Sequence, residues 1–442
     1  MKDEKKNGCC SFILPPSSFI LFPDDGLNDL NVLNVLNRCK RPLWFDPLVT
    51  RCYKFLKFND ERNHVKLYNF DLLAYPHVPK EAPRTPVPSN YFDPAKGAAN
   101  YAEHLEEMAY CEELGFDGVV FNEHHYSAYG TMPSPNLIAA ALSQKTSRIK
   151  IGVLGNILPL RNHPVRVAEE YAMIDCLSKG RLIAGFVRGI PAEYVWYGVN
   201  PDESRGRYEE AYDLIMTAWT NPVWSFDGKF FKLKDCAIWP RPIQQPHPEI
   251  WIAARSAESI EWCVKRHLPT AQVYQTTGQI EDTFGYYRKV ALGNGWEATP
   301  NEFILCRHIY IDESEKKAQE IVEPAMHYFF SVYNRGFNDA INQAAADQQK
   351  LMAALTSERS FNYFREGNRE RIDFSKLDYD GLLKSGYLIA GNPDSVAKQI
   401  QEQMKQVGAN HFMGMFHIGN LHHDNVISSL NLFKREIMPR LQ

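Results

Sequence analysis

The chain has 442 residues, 44% of them hydrophobic and 23% charged, an ordinary globular composition with length for a large core. A net charge of −4 gives no broad basic surface, so nucleic acid is not an expected partner. No apolar stretch approaches the roughly 18 residues of a membrane helix, so no membrane partner is expected.

The nine cysteines are scattered and form no CxxC pair, which argues against a disulfide framework or a zinc site and for a reducing, cytoplasmic setting. Cys111, Cys176 and Cys263 fall in helical patterns and read as small core hydrophobes.

Residues 1–64 differ in pattern from the rest of the chain. Four cysteines lie there, and Pro15, Pro16, Pro23, Pro42 and Pro47 break every apolar run. Lys5 and Lys6 before Phe12-Ile13-Leu14 resemble a secretory signal, but Pro15-Pro16 interrupts the apolar region and no small-residue cleavage site comes after it. We expect an N-terminal extension that is disordered or loosely packed, or a stretch translated from a start upstream of the true one.

From Val65 the pattern becomes regular. Val65–Leu73 reads as a first strand, and Ala98–Leu114 as a helix stopped by Gly115. Asp117-Gly118-Val119-Val120-Phe121 is a second strand, ending in Glu123-His124-His125. A helix over Pro133–Ser143 has Leu137, Ile138, Ala141 and Leu142 as its expected buried stripe. Ile149–Leu158 is a third apolar run, interrupted by Gly152 and Gly155, which suggest a bulge or the close approach of a flat ligand. Pro164 opens a helix that runs to Leu177. Leu182–Val187 is a fourth strand, followed by a loop and the helix Ser204–Trp219.

Trp224–Ile238 alternates around Asp227-Gly228 and reads as a hairpin outside the main cadence. Ile250–Ala254, Ala271–Tyr274 and Phe303–Ile311 are strands five to seven. The helix Ser395–Val407, with Asp394 as expected N-cap, precedes an eighth strand, His411–Phe416, and a last helix, Val426–Met438. Strand and helix thus alternate eight times over about 375 residues, which predicts an α/β fold of the closed (β/α)8 (TIM barrel) kind spanning 65–442. The alternative, an open doubly wound sheet, lacks an early GxGxxG turn. One long insertion, about residues 330–385, comes after strand seven, and its place there puts it on the catalytic face as a lid.

Side chains at the ends of barrel strands converge on one mouth. Here these are Glu123, His124 and His125 after strand two, Asn156 in strand three, Arg188 after strand four and Arg205 near the start of the next helix. Arg255, Ser256 and Ser259 come after strand five at a helix N-terminus. Tyr274 and Gln275 come after strand six, where we expect the substrate pocket. Two guanidiniums, hydroxyls and open helix N–H groups suit an anion such as phosphate. The alternative is that Arg188 and Arg205 make structural ion pairs with carboxylates such as Glu193 or Glu209.

An ordered set of stretches resembles the bacterial luciferase-like flavin-dependent monooxygenases: Glu123-His124-His125, Ser147–Gly152, Leu158-Pro159, His163–Arg166, Leu177–Arg181, Gly185–Gly189, Ser204-Arg205 and Gly391-Asn392-Pro393. The resemblance runs from about Val65 to the C-terminus, about 85% of the chain. It implies a (β/α)8 barrel that binds reduced FMN at its mouth, or in some branches the deazaflavin F420. By the same resemblance His124 takes the position of the catalytic acid/base. Arg188, Arg205, Ser256, Ser259 and the backbone at Arg255 hold the flavin phosphate, and the position of Arg255 is often acidic in the luciferases. Leu154-Gly155-Asn156 matches the bulge, often with a non-proline cis peptide, that supports the flavin ring. Val187 replaces a cysteine found near the flavin in the luciferases. Glu123 and His125 shape the flavin side of the pocket or support His124.

The activity implied is a monooxygenase that uses reduced FMN and O2 through a flavin C4a-peroxide. Its outcome is hydroxylation, Baeyer–Villiger insertion or aldehyde oxidation of a small organic substrate, with light emission possible but not implied. A separate flavin reductase is the expected partner, since no NAD(P)H site is visible. A homodimer through the helices after strands two and three is implied too. The competing readings are an F420-dependent oxidoreductase on the same fold and a non-catalytic flavin-binding subunit. Phe329, Phe330, Tyr333 and Phe337 suit an apolar pocket or a helix stripe equally.

Overall fold

A computed structural model describes residues 65–79, 81–82, 87–333 and 372–441. The expected N-terminal extension, the centre of the expected lid and Phe337 lie outside the described residues.

Eight parallel strands close a barrel. They are β1 (Lys66–Asp71), β2 (Gly118–Phe121), β3 (Lys150–Ile157), β4 (Leu182–Val187), β7 (Glu249–Ile252), β8 (Thr270–Gln272), β9 (Phe303–Ile311) and β11 (His411–Met415). The ring closes where Lys66 pairs with His411 and Leu67 with Phe412. Strands covered on both faces are mostly apolar; Gly118–Phe121 and all nine residues of β9 are buried, Arg307 and His308 among them. The hairpin stands apart as β5 (Trp224–Asp227) and β6 (Lys232–Cys236), as the Asp227-Gly228 signal predicts.

Among the described residues, three helices start on a side-chain oxygen placed just before a proline: Asp93, Asn200 and Asn392. Asp93 accepts N–H bonds from Ala95 and Lys96 at the start of α1 (Pro94–Leu114), and Gly115 ends it in the left-handed region at φ +92°. Around the barrel come α2 (Pro135–Lys145), α3 (Pro164–Leu177), α4 (Pro191–Tyr197), α5 (Pro201–Thr220), α6 (Ala257–Lys265), α7 (Thr277–Gly293), α8 (Glu315–Tyr333), α9 (Tyr379–Ser385), α10 (Pro393–Val407) and α11 (His423–Leu432).

Several expectations need correction. The cap of α10 is Asn392, whose side chain accepts from Ser395 N–H at 3.0 Å, and Asp394 sits in the first turn instead. Pro393 at the first helical position explains the shift, because its missing N–H costs nothing there. The buried stripe of α2 is rotated: Ile138, Ala139 and Leu142 face inward, while Leu137 is 71% exposed and Ala141 is exposed. Asn136 causes this, since its amide is drawn inward to Asn156 and to Glu170 at 2.7 Å. Strand one ends at Asp71 and not Leu73, because Leu73 takes φ +51° with its N–H on the Asp71 carboxylate at 2.6 Å. Strand six is likewise short, with Tyr274 at φ +58° beyond it.

Among the described residues the long post-strand-seven segment contains α8, α9 and an added strand β10 (Leu388–Gly391), which extends the sheet by pairing with His308–Ile311. Cys111, Cys263 and Cys306 are buried free thiols, while Cys176 is only half-buried. No helix among the described residues is long and apolar enough to cross a membrane.

Candidate active site

The strand-end side chains gather into two groups at the mouth. The first is built on β2. The loop after β2 is pinned to the loop after β1: Thr131 donates from its N–H and its hydroxyl to the Leu73 carbonyl, each at 2.8 Å, and Tyr75 N–H donates to Ala128 O at 3.0 Å. This fixes the backbone from which His124 projects. His124 Nδ1 lies 3.1 Å from Glu193 Oε1, and its ring meets Tyr129 edge-on. Glu193 is fully buried, while the imidazole is 17% exposed. Glu193 Oε2 accepts the Ile190 N–H at 3.0 Å, so the carboxylate is fixed at the start of α4. A carboxylate on Nδ1 selects the tautomer with the proton there.

His125 is engaged on both sides. Its Nε2 meets Glu123 Oε1 at 2.8 Å and its Nδ1 meets the Tyr197 hydroxyl at 2.9 Å. Glu123 is buried and takes Arg161 Nη2 at 2.5 Å. Arg161 reaches on to Asn156 Oδ1 at 3.1 Å. Asn156, fully buried, donates to Asn136 Oδ1 at 2.9 Å and to the Tyr171 hydroxyl at 2.7 Å. Glu123, His125, Arg161 and Asn156 are therefore one continuous brace beneath the mouth.

Above this brace β3 is bulged between Val153 and Asn156, and Leu154-Gly155 is a cis peptide bond. A Cβ at Gly155 would strike the Gly185 carbonyl, and one at Gly185 would strike Val153 O and the Leu154 Cα. The two glycines let β3 and β4 approach at the bulge.

The second group is built on α5 and α6. Ser256 caps α6, accepting from Ser259 N–H at 3.3 Å, and the two hydroxyls are 2.9 Å apart. Arg205 Nη2 donates to Ser259 Oγ at 3.1 Å. Arg205 also pairs with Glu209 at 3.2 Å and with Glu258 at 2.9 Å. Arg188 carries no ion pair among the described residues. Burial pushes the Tyr194 hydroxyl up to about 12, and both Arg188 and Arg205 act on it, as they do on Tyr208, so the two guanidiniums share one neighbourhood. Glu193 pairs with His124 and not with either arginine. Arg255 is exposed beside Ser256.

A phosphate fits this second group. It would find two hydroxyls, the unpaired N–H groups of the first turn of α6 and two arginines. Glu258 already holds Arg205, but Glu258 is 64% exposed, and exposed ion pairs are worth only about 0–1 kcal/mol, so an incoming dianion can displace it.

Tyr274 and Gln275 close the third side. The Tyr274 hydroxyl bonds that of Tyr129, which in turn packs on His124. Tyr274 also packs against Phe329 and Tyr387, so Phe329 belongs to the wall of the mouth. Gln275 is fully buried, and neither end of its amide has a hydrogen-bond partner. A crevice of about 610 Å³ opens elsewhere, at the amino ends of β7 and β8, lined by Tyr212, Glu249, Arg266 and His267. It holds none of the strand-end residues, and chemistry rather than volume locates the site.

Sequence reasoning missed Glu193, Arg161 and Tyr197 as members of the site. The available signal for Glu193 was an acid in the first turn after Pro191, a helix start that reads as loop because the helix has only seven residues.

Residues 84–411 match the model of the luciferase-like monooxygenase family. The alkanal monooxygenase alpha chain of Photobacterium leiognathi is 27% identical over 346 residues, covering 75% of this chain and 90% of that one. The oxygenase component of the flavin-dependent trigonelline monooxygenase of Acinetobacter baylyi is 28% identical over 265 residues, covering 58% and 71%. Among solved structures, the oxygenating constituent of 3,6-diketocamphane monooxygenase from Pseudomonas putida, in complex with FMN, aligns with a TM-score of 0.63 at 16% identity, over 85% of this chain and 98% of that one. An F420-dependent secondary alcohol dehydrogenase aligns with a TM-score of 0.59 at 16% identity, over 86% and 99%. With the barrel, its bulged third strand and the family match over most of its length, this chain belongs to the luciferase-like monooxygenases.

Proposed function

We propose that the protein is the oxygenating component of a two-component flavin-dependent monooxygenase. It takes reduced FMN from a separate reductase and, with O2, oxidises a small organic substrate by hydroxylation, Baeyer–Villiger insertion or aldehyde oxidation. The observation that carries this reading is the convergence, at one barrel mouth, of the His124–Glu193 pair and the Arg205–Ser256–Ser259 cradle.

Arg188, Arg205, Ser256, Ser259 and the N–H groups at Arg255 and Ser256 hold the phosphate. Leu154, Gly155 and Asn156 form the bulge on which the ring system rests, and Glu123 and His125 brace it from below. Bound reduced flavin supplies the oxygen chemistry. His124 manages the proton at Nε2, held in its tautomer by Glu193. Tyr274, Gln275 and Phe329 line the substrate side.

The two-component arrangement is supported by the relative named as an oxygenase component. The half-buried and buried free thiols suit a reducing cytoplasm. A homodimer through α2 and α3 is supported by Leu137, Met173 and Leu177, apolar yet exposed on those helices.

A second reading, an F420-dependent oxidoreductase, is kept by the likeness to the F420-dependent dehydrogenase fold. Anaerobic titration with reduced FMN and with reduced F420, followed by mixing with O2 and a panel of ketones and aldehydes, tests both. Saturable FMN binding with oxygen incorporated into product supports the first reading. F420 binding with no oxygen incorporated supports the second.

A further inference from the structure

Arg205 projects from α5 toward the first turn of α6, and its guanidinium is engaged along both edges. Nη1 meets Glu209 Oε1, one turn further along α5, at 3.2 Å. The other edge, formed by Nε and Nη2, faces α6. There Nη2 donates to Ser259 Oγ at 3.1 Å, and Nε lies 2.9 Å from Glu258 Oε2. This second edge is one that a guanidinium offers to a two-oxygen anion.

Glu258 occupies that edge as an anion would. Ser256 caps α6, so Glu258 is the second residue of the helix, where backbone N–H groups lack intrahelical partners. A carboxylate is favoured there by the helix end as well as by the arginine. The phosphate assigned to this cradle needs the same groups: the Nε–Nη2 edge of Arg205, the Ser259 hydroxyl and the end of α6. The two anions repel each other and cannot share that edge.

A carboxylate on an arginine can also serve to orient it. Here Arg205 is held without Glu258, by Glu209 at Nη1 and by Ser259 at Nη2, and Ser259 is itself fixed by the Ser256 hydroxyl at 2.9 Å. Glu258 is 64% exposed and has room to leave, whereas the Arg205 side chain is only 20% exposed. The two roles predict opposite signs. Loss of an orienting carboxylate weakens phosphate binding, and loss of a competing one strengthens it.

We propose that Glu258 is a built-in competitor for the cofactor phosphate, which fills the Nε–Nη2 edge of Arg205 in the empty cradle and is displaced when the phosphate arrives. The inference rests on the reading of this cradle as a phosphate site and adds how the hold on the cofactor is set. The carboxylate lowers the affinity of the cradle and speeds release. That suits a flavin that arrives from a separate reductase and leaves after each turnover, a passing reactant and not a resident group.

The test titrates the full wild-type chain and Glu258→Gln with FMN and with riboflavin, which lacks the phosphate, followed by fluorescence. Glu258→Gln should bind FMN about two- to fivefold more tightly, the worth of one exposed ion pair, and release it correspondingly more slowly in stopped flow. Riboflavin should bind the two forms alike. Circular dichroism verifies that the variant keeps its fold. FMN binding that is unchanged or weaker in Glu258→Gln, while the wild type still prefers FMN to riboflavin, overturns the proposal and leaves the cradle standing. Riboflavin tightened as much as FMN overturns it too, since the effect then does not act through the phosphate. A wild type that binds FMN no better than riboflavin removes the cradle itself, and this inference with it.

Discussion

Two imidazole–carboxylate pairs of the same chemistry sit at the carboxyl end of this barrel with different surroundings. His124 lies 3.1 Å from Glu193 and keeps 17% of its side chain exposed. His104 lies 2.8 Å from Asp71 with both side chains 1% exposed. In each, the carboxylate is sealed and fixes a ring nitrogen. The difference is access for the other nitrogen. At the mouth the ring keeps an opening, as the proposed proton exchange requires, whereas behind the wall His104 Nε2 is buried with no hydrogen-bond partner among the described residues. The pairing alone therefore does not mark a catalytic histidine; the role proposed for His124 rests on the pairing together with an opening.

The largest effect should come from the exposed pair. His124→Ala should lower turnover with reduced FMN and O2 by about 10²–10⁴-fold while leaving the FMN dissociation constant nearly unchanged. Stopped-flow kinetics with a reactive ketone or aldehyde measures both, and unchanged turnover would remove the acid/base assignment. Arg205→Ala should weaken FMN by roughly ten- to a hundredfold, as expected from losing charge-assisted bonds of about 1.5–3 kcal/mol, read by fluorescence titration. Glu193→Gln keeps the shape but loses the charge that orients His124. It should lower kcat by about 10-fold or more with little change in flavin affinity. Ser259→Ala should weaken FMN only about fivefold, the worth of one neutral hydrogen bond. His104→Gln, at the sealed pair, should change kcat by less than about threefold, and a larger loss would mean that the two pairs are coupled.

A pH test separates burial from function in other histidines. Burial pushes His308 and His411 down to about 3. The unfolded chain takes up these protons near pH 6.5, and the folded chain does not until about pH 3. The stability they contribute is present above pH 6.5 and is lost as pH falls toward 3. The urea midpoint should therefore drop between pH 7 and pH 5. His411→Phe, which keeps a ring against Tyr68 and Trp251, should flatten that slope.

Much of the fold was legible because barrel strands are covered on both faces and read as unbroken apolar runs between caps. Val119-Val120-Phe121 and Phe303–Cys306 could be read this way, the second run resuming at Ile309 after the buried Arg307 and His308. The face of α2 could not, because Asn136 turns inward for a partner twenty residues away in β3, and no periodicity encodes that. β10 was hidden because its four residues show their role only when paired with β9. In the site, strand ends pointed to His124, Arg188, Arg205 and Ser256. Glu193 and Arg161 reach it from loops and a short helix, where only the folded chain brings them within bonding distance.

The central claim is that this mouth holds reduced FMN through the Arg205–Ser256–Ser259 cradle and passes oxygen to a substrate with His124 as proton donor or acceptor. Anaerobic titration of the wild-type chain and of Arg205→Ala with reduced FMN tests it most directly. Saturable 1:1 binding by the wild type, weakened at least about tenfold in the variant, is the predicted result. No binding by the wild type, or equal binding by both, would contradict it.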